Sequence, residues 1–303
     1  MSERVSISLS VNNGDILKGF YWQSDIKAIG NIIIFEGMEE YVARYDAFAK
    51  YLNENGYHVY ALDTYGQGEN VNEDLSNIGI WPEDGFAKMV CAHHEMVNKA
   101  RENGLPTYIF SHSMGSYMGQ DYIQRFSGDV EKVVLCGAGA NNPAVGMGLL
   151  LSKMSTNKKN RNKKAGLLAK IMFGSFNKKI KNPRTDYDWL SYNETNVDNY
   201  IAHPLCGFGP TKGFCLEFLK GMKPLFKKKS VVRVSKDQKL FIITGEEDPV
   251  SNYSKYTYAL EKMYKGLGLK EVSIKIYKHA RHEILNDDNR LEVYKDILEF
   301  FNK

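Results

Sequence analysis

The segment at residues 110–116, which reads FSHSMGS, constrains the fold of this chain more than any other feature. The largely apolar run before it, residues 105–110, predicts a buried strand, and the residues after it predict a helix. Small residues stand two positions before and after Ser113, at Ser111 and Gly115. A serine on a sharp turn between a strand and a helix, with small flanking residues, is typical of a nucleophile elbow.

Two further residues follow predicted strands and would complete such a site. An apolar run at 240–244 leads to Asp248, and an alternating run at 272–277 leads to His282. The chain order serine, acid, histidine is that of the α/β hydrolases and differs from the two other well-known serine protease orders. An imidazole takes the serine proton, and a carboxylate orients the imidazole. We therefore expect Ser113 to be the nucleophile, Asp248 the orienting acid and His282 the base.

The tetrahedral intermediate of acyl transfer needs hydrogen-bond donors for its oxyanion. One expected donor is the backbone N–H of Met114, directly after the serine. The second should lie on the loop after the third predicted strand, where Gly37 lets the chain turn and Met38 offers its N–H. We expect Gly37, Ser111 and Gly115 to support the loop and the elbow.

Three further stretches, residues 36–45, 56–68 and 281–287, together with the elbow, follow a known family pattern. Through them the chain resembles the lysophospholipase and monoacylglycerol lipase branch of the α/β hydrolases over most of its length. The resemblance implies the same nucleophile, acid, base and two oxyanion donors. This chain departs from the pattern by having Glu36 in place of a histidine and Ser111 in place of a glycine. A carboxylate at position 36 would lower activity or alter substrate choice if it pointed into the oxyanion loop.

Strand and helix patterns alternate along most of the chain. Residues 5–10 and 17–22 predict an antiparallel pair with a turn at 12–15, and βα units follow from residue 31. This alternation predicts the α/β-hydrolase fold, a mostly parallel eight-stranded sheet with helices on both faces. Residues 41–55 predict the first helix.

The alternation breaks between Cys136 and Leu240, where only helical fragments at 147–154, 166–173 and 214–225 are predicted. The resemblance implies that a helical cap is inserted here, between strands 6 and 7. We expect the α/β-hydrolase core and the cap to divide the chain as follows: 1–138 and 240–303 for the core, 139–239 for the cap.

The expected cap is strongly basic. Residues 151–185 contain eleven Lys and Arg and no Asp or Glu, whereas the net charge of the whole chain is only +4. Beside the apolar residues at 149–151 and 167–168, this charge suits a transient contact with an anionic membrane surface. A solvated surface that aids solubility is the simpler alternative. Nucleic-acid binding is not expected, because no aromatic interleaving or binding motif accompanies the charge.

The histidines and cysteines show no metal-ligand spacing, so we expect neither a metal nor an organic cofactor. His93 and His94 lie in a predicted helix and are expected to be half exposed at the surface. His279 competes with His282 for the role of base, and the family motif favours His282. Four cysteines without a CxxC pattern, no apolar leader and no run long enough to span a membrane favour a cytoplasmic protein.

These features predict a serine ester hydrolase that acts on a glycerolipid-type or other acyl ester. One alternative is a serine aminopeptidase or amide hydrolase on the same fold, with Glu36, Glu39 or Glu40 binding an amine. The other is a ligand-binding protein with weak activity. Four aromatic residues of the expected cap are candidates for the wall of the acyl pocket: Tyr187, Trp189, Phe208 and Phe214.

Overall fold

The computed structural model describes residues 3–12 and 14–303. An eight-stranded sheet runs through the molecule in the order β1-β2-β4-β3-β5-β6-β7-β8. The strands are β1 (Val5–Ser10), β2 (Ile16–Trp22), β3 (Gly30–Phe35), β4 (Tyr57–Leu62), β5 (Thr107–His112), β6 (Lys132–Cys136), β7 (Lys239–Gly245) and β8 (Val272–Tyr277).

The sheet is antiparallel at one edge and parallel elsewhere. β1 pairs with β2 and β2 with β4 in antiparallel register, whereas every neighbouring pair from β4 through β3 to β8 is parallel. The predicted fold class is therefore confirmed. Residue 13 of the expected turn at 12–15 lies outside the described residues. β5 extends to His112, beyond the predicted end at 110. The prediction missed this end because Ser111 and His112 are buried but polar, so they do not continue the apolar run.

Helices cover both faces of the sheet. Alternate side chains of β3 belong to two different hydrophobic cores, Ile33 to one and Ile32 and Ile34 to the other. The α-helices of the described residues are α1 (Asp46–Glu54), α2 (Gly85–Arg101), α3 (Met114–Arg125), α4 (Ala144–Ser155), α5 (Leu167–Phe173), α6 (Glu194–Ala202), α7 (Lys212–Leu225), α8 (Lys228–Val231), α9 (Lys255–Gly266) and α10 (Arg290–Asn302). Among the residues that the structure describes, no helix has the length and apolar character needed to cross a membrane.

Two stretches differ from the predicted helices. The helix expected at 41–55 begins as a short 3-10 helix, Val42–Tyr45, before α1. Between β6 and β7, residues 137–238 (the β6–β7 segment) form α4 to α8, of which α6 and α8 had no sequence prediction. Both are short and largely polar, so they carry little of the apolar periodicity that reveals a helix.

His93 is a correction to the expected surface pair. Its side chain is completely buried in α2, and its ring stacks on Phe35 of β3 at a centroid distance of 3.8 Å. Burial lowers the pKa of His93 to about 3, so the ring is neutral. His94 is only half buried, because successive helix positions point about 100° apart. The two histidines are therefore adjacent in sequence but lie in different environments.

A buried asparagine joins β3 to the loop before β5. Asn31 Nδ2 donates to the Ala100 carbonyl at 3.1 Å and to Thr107 Oγ1 at 3.0 Å. Asn103 Nδ2 donates to Asn31 Oδ1 at 2.9 Å. These bonds satisfy polar groups that have no access to water.

We expect Asn31→Ala to lower the free energy of unfolding by about 2–4 kcal/mol, because it leaves several buried partners unsatisfied. Urea denaturation monitored by circular dichroism measures this change. Asn98→Ala removes an exposed asparagine and serves as the control, with an expected change within about 0.5 kcal/mol. Equal stability of the two variants would contradict the assigned role of Asn31.

Candidate active site

The turn between β5 and α3 holds Ser113 in an unusual backbone conformation. Its φ is +53° and its ψ is −116°, a combination that L-residues rarely adopt. The Ser113 N–H donates to the Cys136 carbonyl at 2.9 Å, which ties the turn to the end of β6. A Cβ at Gly115 would lie 2.1 Å from the Phe35 carbonyl oxygen, so no larger residue fits there. This geometry is that of a nucleophile elbow.

Ser111, which replaces the family glycine, is also tightly enclosed. Its side chain is buried, and its Oγ donates to the Val134 carbonyl at 2.7 Å. A Cβ at Gly119 of α3 would lie only 2.8 Å from this oxygen. The helix therefore approaches the strand closely, and the serine hydroxyl is satisfied by its neighbour on β6.

Asp248 and His282 form a buried pair at the ends of β7 and β8. His282 Nδ1 lies 2.9 Å from Asp248 Oδ1, and the two side chains are 2% and 0% exposed. The Thr244 hydroxyl donates to the other carboxylate oxygen at 2.8 Å, and the Val250 N–H donates to Oδ1 at 2.8 Å. Asp248 is thus held from three sides, with one oxygen turned to the imidazole.

The electrostatics of this pair favour the charged forms. Burial by itself would lower the pKa of His282, but the charge and hydrogen bond of Asp248 raise it above its usual value of 6.5. Burial would likewise raise the pKa of Asp248, yet the imidazole, Thr244 and Val250 hold it below its usual value. The pair can therefore stabilise an imidazolium once a proton arrives.

Ser113 lies beside this pair. Gly137, next to the Cys136 carbonyl that binds the Ser113 N–H, packs so closely on His282 that a Cβ would lie 2.8 Å from the ring. The His112 and His282 rings are 4.7 Å apart. Within the described part of the chain, no hydrogen bond joins the Ser113 hydroxyl to His282. The structure thus brings two of the three expected groups into direct contact and the third next to them.

His279, the competitor for the role of base, is exposed at the start of the loop after β8. Its φ of +49° belongs to a tight turn. Its position at the surface contrasts with the burial of His282 against Asp248.

The two expected oxyanion donors are unpaired. In residues 3–12 and 14–303, neither the Met38 N–H nor the Met114 N–H donates to any group. Gly115 packs on the carbonyl oxygens of Phe35 and Glu36, so the elbow lies against the start of the oxyanion loop, residues 36–40. Two free N–H groups on adjoining turns suit the binding of a developing oxyanion.

Glu36 does not point at these donors. Its Oε1 accepts from the Thr64 N–H at 2.6 Å, from the Thr64 hydroxyl at 2.8 Å and from Gln67 Nε2 at 2.9 Å. The side chain is completely buried beneath the loop. The carboxylate that replaces the family histidine therefore faces the loop after β4.

A second carboxyl, that of Asp63, lies close enough to Glu36 for its negative charge to act on it. Glu36 Oε2 has no donor among the described residues. Burial and the neighbouring Asp63 charge raise the pKa of Glu36 well above its usual value, and burial raises the pKa of Asp63 to about 6. Glu36 therefore keeps its proton to a higher pH than a carboxyl in water does.

Gln67 has a role at the site that the sequence analysis did not predict, although it lies in the stretch 56–68 that follows the family pattern. Its Nε2 donates to the Gly37 carbonyl at 3.0 Å, and its Oε1 accepts from the Glu39 N–H at 2.8 Å. The side chain therefore holds the peptide groups on both sides of Met38, through the Gly37 carbonyl and the Glu39 N–H.

Of the four aromatic candidates, one reaches the imidazole. The Trp189 ring lies 5.3 Å from that of His282. Phe214 is buried against Trp81 at 4.3 Å, and Tyr187 packs on Tyr200 at 5.2 Å. In the part of the chain that the structure describes, no group of three His, Cys, Asp or Glu side chains is arranged to hold a metal ion.

Comparison with known proteins identifies the family of this chain. The sequence profile of Hydrolase_4, described as serine aminopeptidase S33, matches residues 26–289. The chain belongs to this family. A phospholipase, YtpA, from Bacillus subtilis (strain 168) is 25% identical over 113 residues, which are 34% of this chain and 38% of that protein. The chain thus matches well under half the length of this curated relative.

Solved structures match over nearly the whole chain. A highly thermostable carboxyl esterase from Bacillus coagulans, in complex with glycerol, has a TM-score of 0.91 at 26% identity and covers 100% of this chain and 99% of its own. A soluble variant of monoglyceride lipase from Saccharomyces cerevisiae has a TM-score of 0.74 at 16% identity, over 99% and 95% of the two chains. Both structures confirm the predicted α/β-hydrolase fold, and the family membership together with the 26% identical carboxyl esterase confirms the predicted hydrolase.

The buried pair of Glu36 and Asp63 has a consequence for pH. A carboxyl whose pKa is raised in the folded state contributes stability below its unfolded value of 4.5, and this contribution is lost as the pH rises through the raised value. We expect Glu36→Gln to raise the thermal midpoint relative to wild type more at about pH 9 than at about pH 5, because the amide needs no proton.

Differential scanning fluorimetry at both pH values measures this difference. Glu73 is an exposed carboxylate on the loop after β4, and Glu73→Gln is the matched control. Its thermal midpoint relative to wild type should be the same at both pH values. A gain for Glu36→Gln that is the same at both pH values would show that Glu36 does not hold the proton.

Proposed function

We propose that this protein is a serine ester hydrolase that forms an acyl-enzyme on Ser113. The observation that carries the proposal is the buried Asp248–His282 pair beside a serine held in an elbow conformation. The free N–H groups of Met38 and Met114 serve as the oxyanion hole in this proposal. Gly37, Ser111 and Gly115 support it by allowing the loop and the elbow to pack closely.

The reaction follows from these positions. Ser113 Oγ forms a bond to the ester carbonyl carbon as His282 takes its proton, and the negative oxygen binds the two N–H groups. The carbon–oxygen bond to the alcohol then breaks, and the alcohol leaves with the proton from His282. Water then forms a bond to the acyl carbon as His282 takes its proton, the bond from that carbon to Ser113 Oγ breaks, and the acid leaves while Ser113 Oγ takes the proton back from His282. Asp248 stabilises the imidazolium in both halves.

Glycerolipid-type and other acyl esters are the substrates that the comparisons favour. The similar proteins include a phospholipase, a monoglyceride lipase and a carboxyl esterase that was solved with glycerol. Trp189 offers an apolar surface next to His282 on the side of the β6–β7 segment. An apolar wall of this kind binds acyl chains and sheds water from the ester.

The family is described as serine aminopeptidase, which supports the aminopeptidase alternative. That reading needs a carboxylate free to bind an amine. Glu36 is engaged by Thr64 and Gln67, and Glu40 by an arginine and a tyrosine. Glu39 is half buried, and its Oε2 accepts from the Gly209 N–H at 3.2 Å. Because all three have protein partners, we favour ester hydrolysis over amine recognition.

We further propose the division into a core, 1–138 and 240–303, and a cap, 139–239. The position of α4 to α8 between β6 and β7 supports this division, as does the contact of Trp189 with His282. We also infer a reducing, cytosolic setting. All four cysteines are free thiols, and three of them are buried.

A fluorophosphonate probe tests the proposed nucleophile. We expect the probe to label wild type and to leave Ser113→Ala unlabelled, because it reacts only with an activated serine. Ser8→Ala, in the exposed first strand, is the control and should label as wild type does. Labelling that persists in Ser113→Ala would overturn the assignment.

A substrate panel tests the chemistry in the same preparations. Monoacylglycerols, lysophospholipids and nitrophenyl esters should turn over, and proline anilides should turn over more slowly than the best ester. Ser113→Ala should lose about 10³-fold or more in kcat. Faster turnover of the amides than of every ester would favour the aminopeptidase alternative.

We also propose that the cap contacts anionic membranes. The outer face of α4 and α5 supports this proposal, since its apolar side chains are 39–78% exposed: Met147, Leu150, Leu151, Met154, Leu167 and Ile171. The residues on α4 recur every three or four positions and so share one face. Ten of the eleven cations at 151–185 are exposed. Exposed apolar side chains in a segment rich in exposed cations suit an interface of anionic lipid.

Vesicle sedimentation tests this contact. We expect binding to vesicles that contain phosphatidylglycerol, and weaker binding to pure phosphatidylcholine or at high salt. Leu150→Ser combined with Met154→Ser should weaken binding about tenfold or more, because less apolar area enters the lipid. Leu291→Ser, which removes an exposed leucine at the start of α10, is the control. Indifference to lipid charge, or an equal loss in the control, would contradict the proposal.

A further inference from the structure

Arg44 lies buried between two carboxylates from distant parts of the chain. Its Nη1 donates to Glu40 Oε2 at 2.8 Å and to Glu283 Oε1 at 2.7 Å, and its Nη2 donates to Glu283 Oε2 at 2.6 Å. The side chain of Arg44 is only 9% exposed, and each carboxylate only 4%. A planar guanidinium that engages two carboxylates from one fork has a single favourable orientation.

The first carboxylate holds the oxyanion loop. Glu40 Oε1 accepts from the Gly37 N–H at 2.7 Å and from the Tyr45 hydroxyl at 2.7 Å. A Cβ at Gly37 would lie 2.5 Å from this oxygen, so the contact needs a glycine. The peptide unit that follows Gly37 carries the Met38 N–H. The orientation of that donor therefore depends on where Arg44 holds Glu40.

The second carboxylate holds the loop of the base. Glu283 directly follows His282, and its own N–H donates to the Leu190 carbonyl at 2.7 Å. Burial would raise the pKa of Glu283, but the charge and hydrogen bonds of Arg44 lower it to about 2, so the group is charged at neutral pH. Its negative charge is one of the causes that raise the pKa of His282.

The same guanidinium reaches the β6–β7 segment. Arg44 Nη2 donates to Asn196 Oδ1 at 3.1 Å, and Asn196 Nδ2 donates to Glu283 Oε2 at 2.8 Å. Asn196 lies on α6, whose N-terminus is capped by Asn193. One arginine thus joins three segments that are far apart in sequence.

We propose that Glu40, Arg44 and Glu283 form a positioning network that keeps the oxyanion loop and the loop of His282 in fixed relative positions. The inference rests on the proposed function, since it assigns these residues a role in the same reaction. None of the three touches the reacting atoms, so they are positioning residues. In a buried site such a network is strongly directional, because every partner is satisfied and water does not compete.

The alternative is a network that only stabilises the fold, and the turnover of a folded Arg44→Lys variant separates the two. The titratable groups that face His282 are Asp248 after β7, His112 at the end of β5, Glu283 next in the chain and Glu40 after β3. Glu283→Gln removes one negative charge and keeps an oxygen for Arg44. It should lower the pKa of His282, which tests whether the network holds a negative charge beside the ring.

NMR titration of the His282 ring in the Ser113→Ala background measures this pKa without any turnover. We expect a lower midpoint in Glu283→Gln than in its parent. Glu73→Gln, which removes an exposed charge far from the network, should leave the midpoint unchanged. An unchanged midpoint in Glu283→Gln would overturn the proposed coupling to the base.

Steady-state kinetics test the coupling to the oxyanion loop. Arg44→Lys keeps the charge but loses the fork, and we expect kcat to fall about 10- to 100-fold with KM changed less than about twofold. kcat/KM falls at low pH when His282 becomes protonated. In Glu283→Gln this fall should shift to lower pH, because His282 with a lower pKa stays neutral at more acidic pH. Unchanged kcat in a folded Arg44→Lys variant would overturn the network.

These outcomes are distinguishable from failure of the proposed function. If wild type neither reacts with a fluorophosphonate nor hydrolyses esters, the proposed function fails, yet the His282 titration still reports on the network. If wild type is active while both variants behave as wild type does, the network fails and the proposed function stands.

Discussion

The parallel register of four neighbouring strands is the constraint on which the site depends. Phe35 pairs with Ser111, and Cys136 pairs with both His112 and Ile243, so β3, β5, β6 and β7 end at nearly the same level. The loops that follow these strands therefore emerge at one edge of the sheet. Backbone hydrogen bonds between the strands fix this register. The edge is therefore a rigid support for groups that must stay within a few ångströms of each other.

The buried edge carries an excess of acidic groups. Glu36 and Asp63 lie together beneath the oxyanion loop, Glu40 and Glu283 share Arg44, and Asp248 pairs with His282. The groups that accommodate these carboxyls differ: N–H donors of Thr64 and Gln67 for Glu36, the Arg44 guanidinium for Glu40 and Glu283, and the His282 imidazole for Asp248. The low dielectric of the interior makes these arrangements costly to disturb. The oxyanion loop is therefore held from below by Gln67 and from the side by Glu40.

The β6–β7 segment has two different sides. Its inner side brings Trp189 next to His282 and Asn196 to Arg44, so it contributes to the environment of His282. Its outer side presents apolar and basic side chains on α4 and α5 to the solvent. The same insertion can therefore contribute to the chemistry below it and to a surface above it. This division follows from the helical periodicity of α4, where Leu149 and Ser152 are buried while Leu150 and Met154 are exposed.

The sequence alone determined the fold class, the strand–turn–helix at Ser113 and the positions of Asp248 and His282 after their strands, because these depend on local periodicity and on chain order. Only the tertiary structure decided which side chains meet. It turned Glu36 toward Thr64, buried His93 against Phe35, and joined Arg44 to Glu283 across 239 positions of sequence. No local pattern encodes such contacts, because they arise where separate elements pack, and the direction of a side chain across that packing is set by neighbours that are distant in the chain.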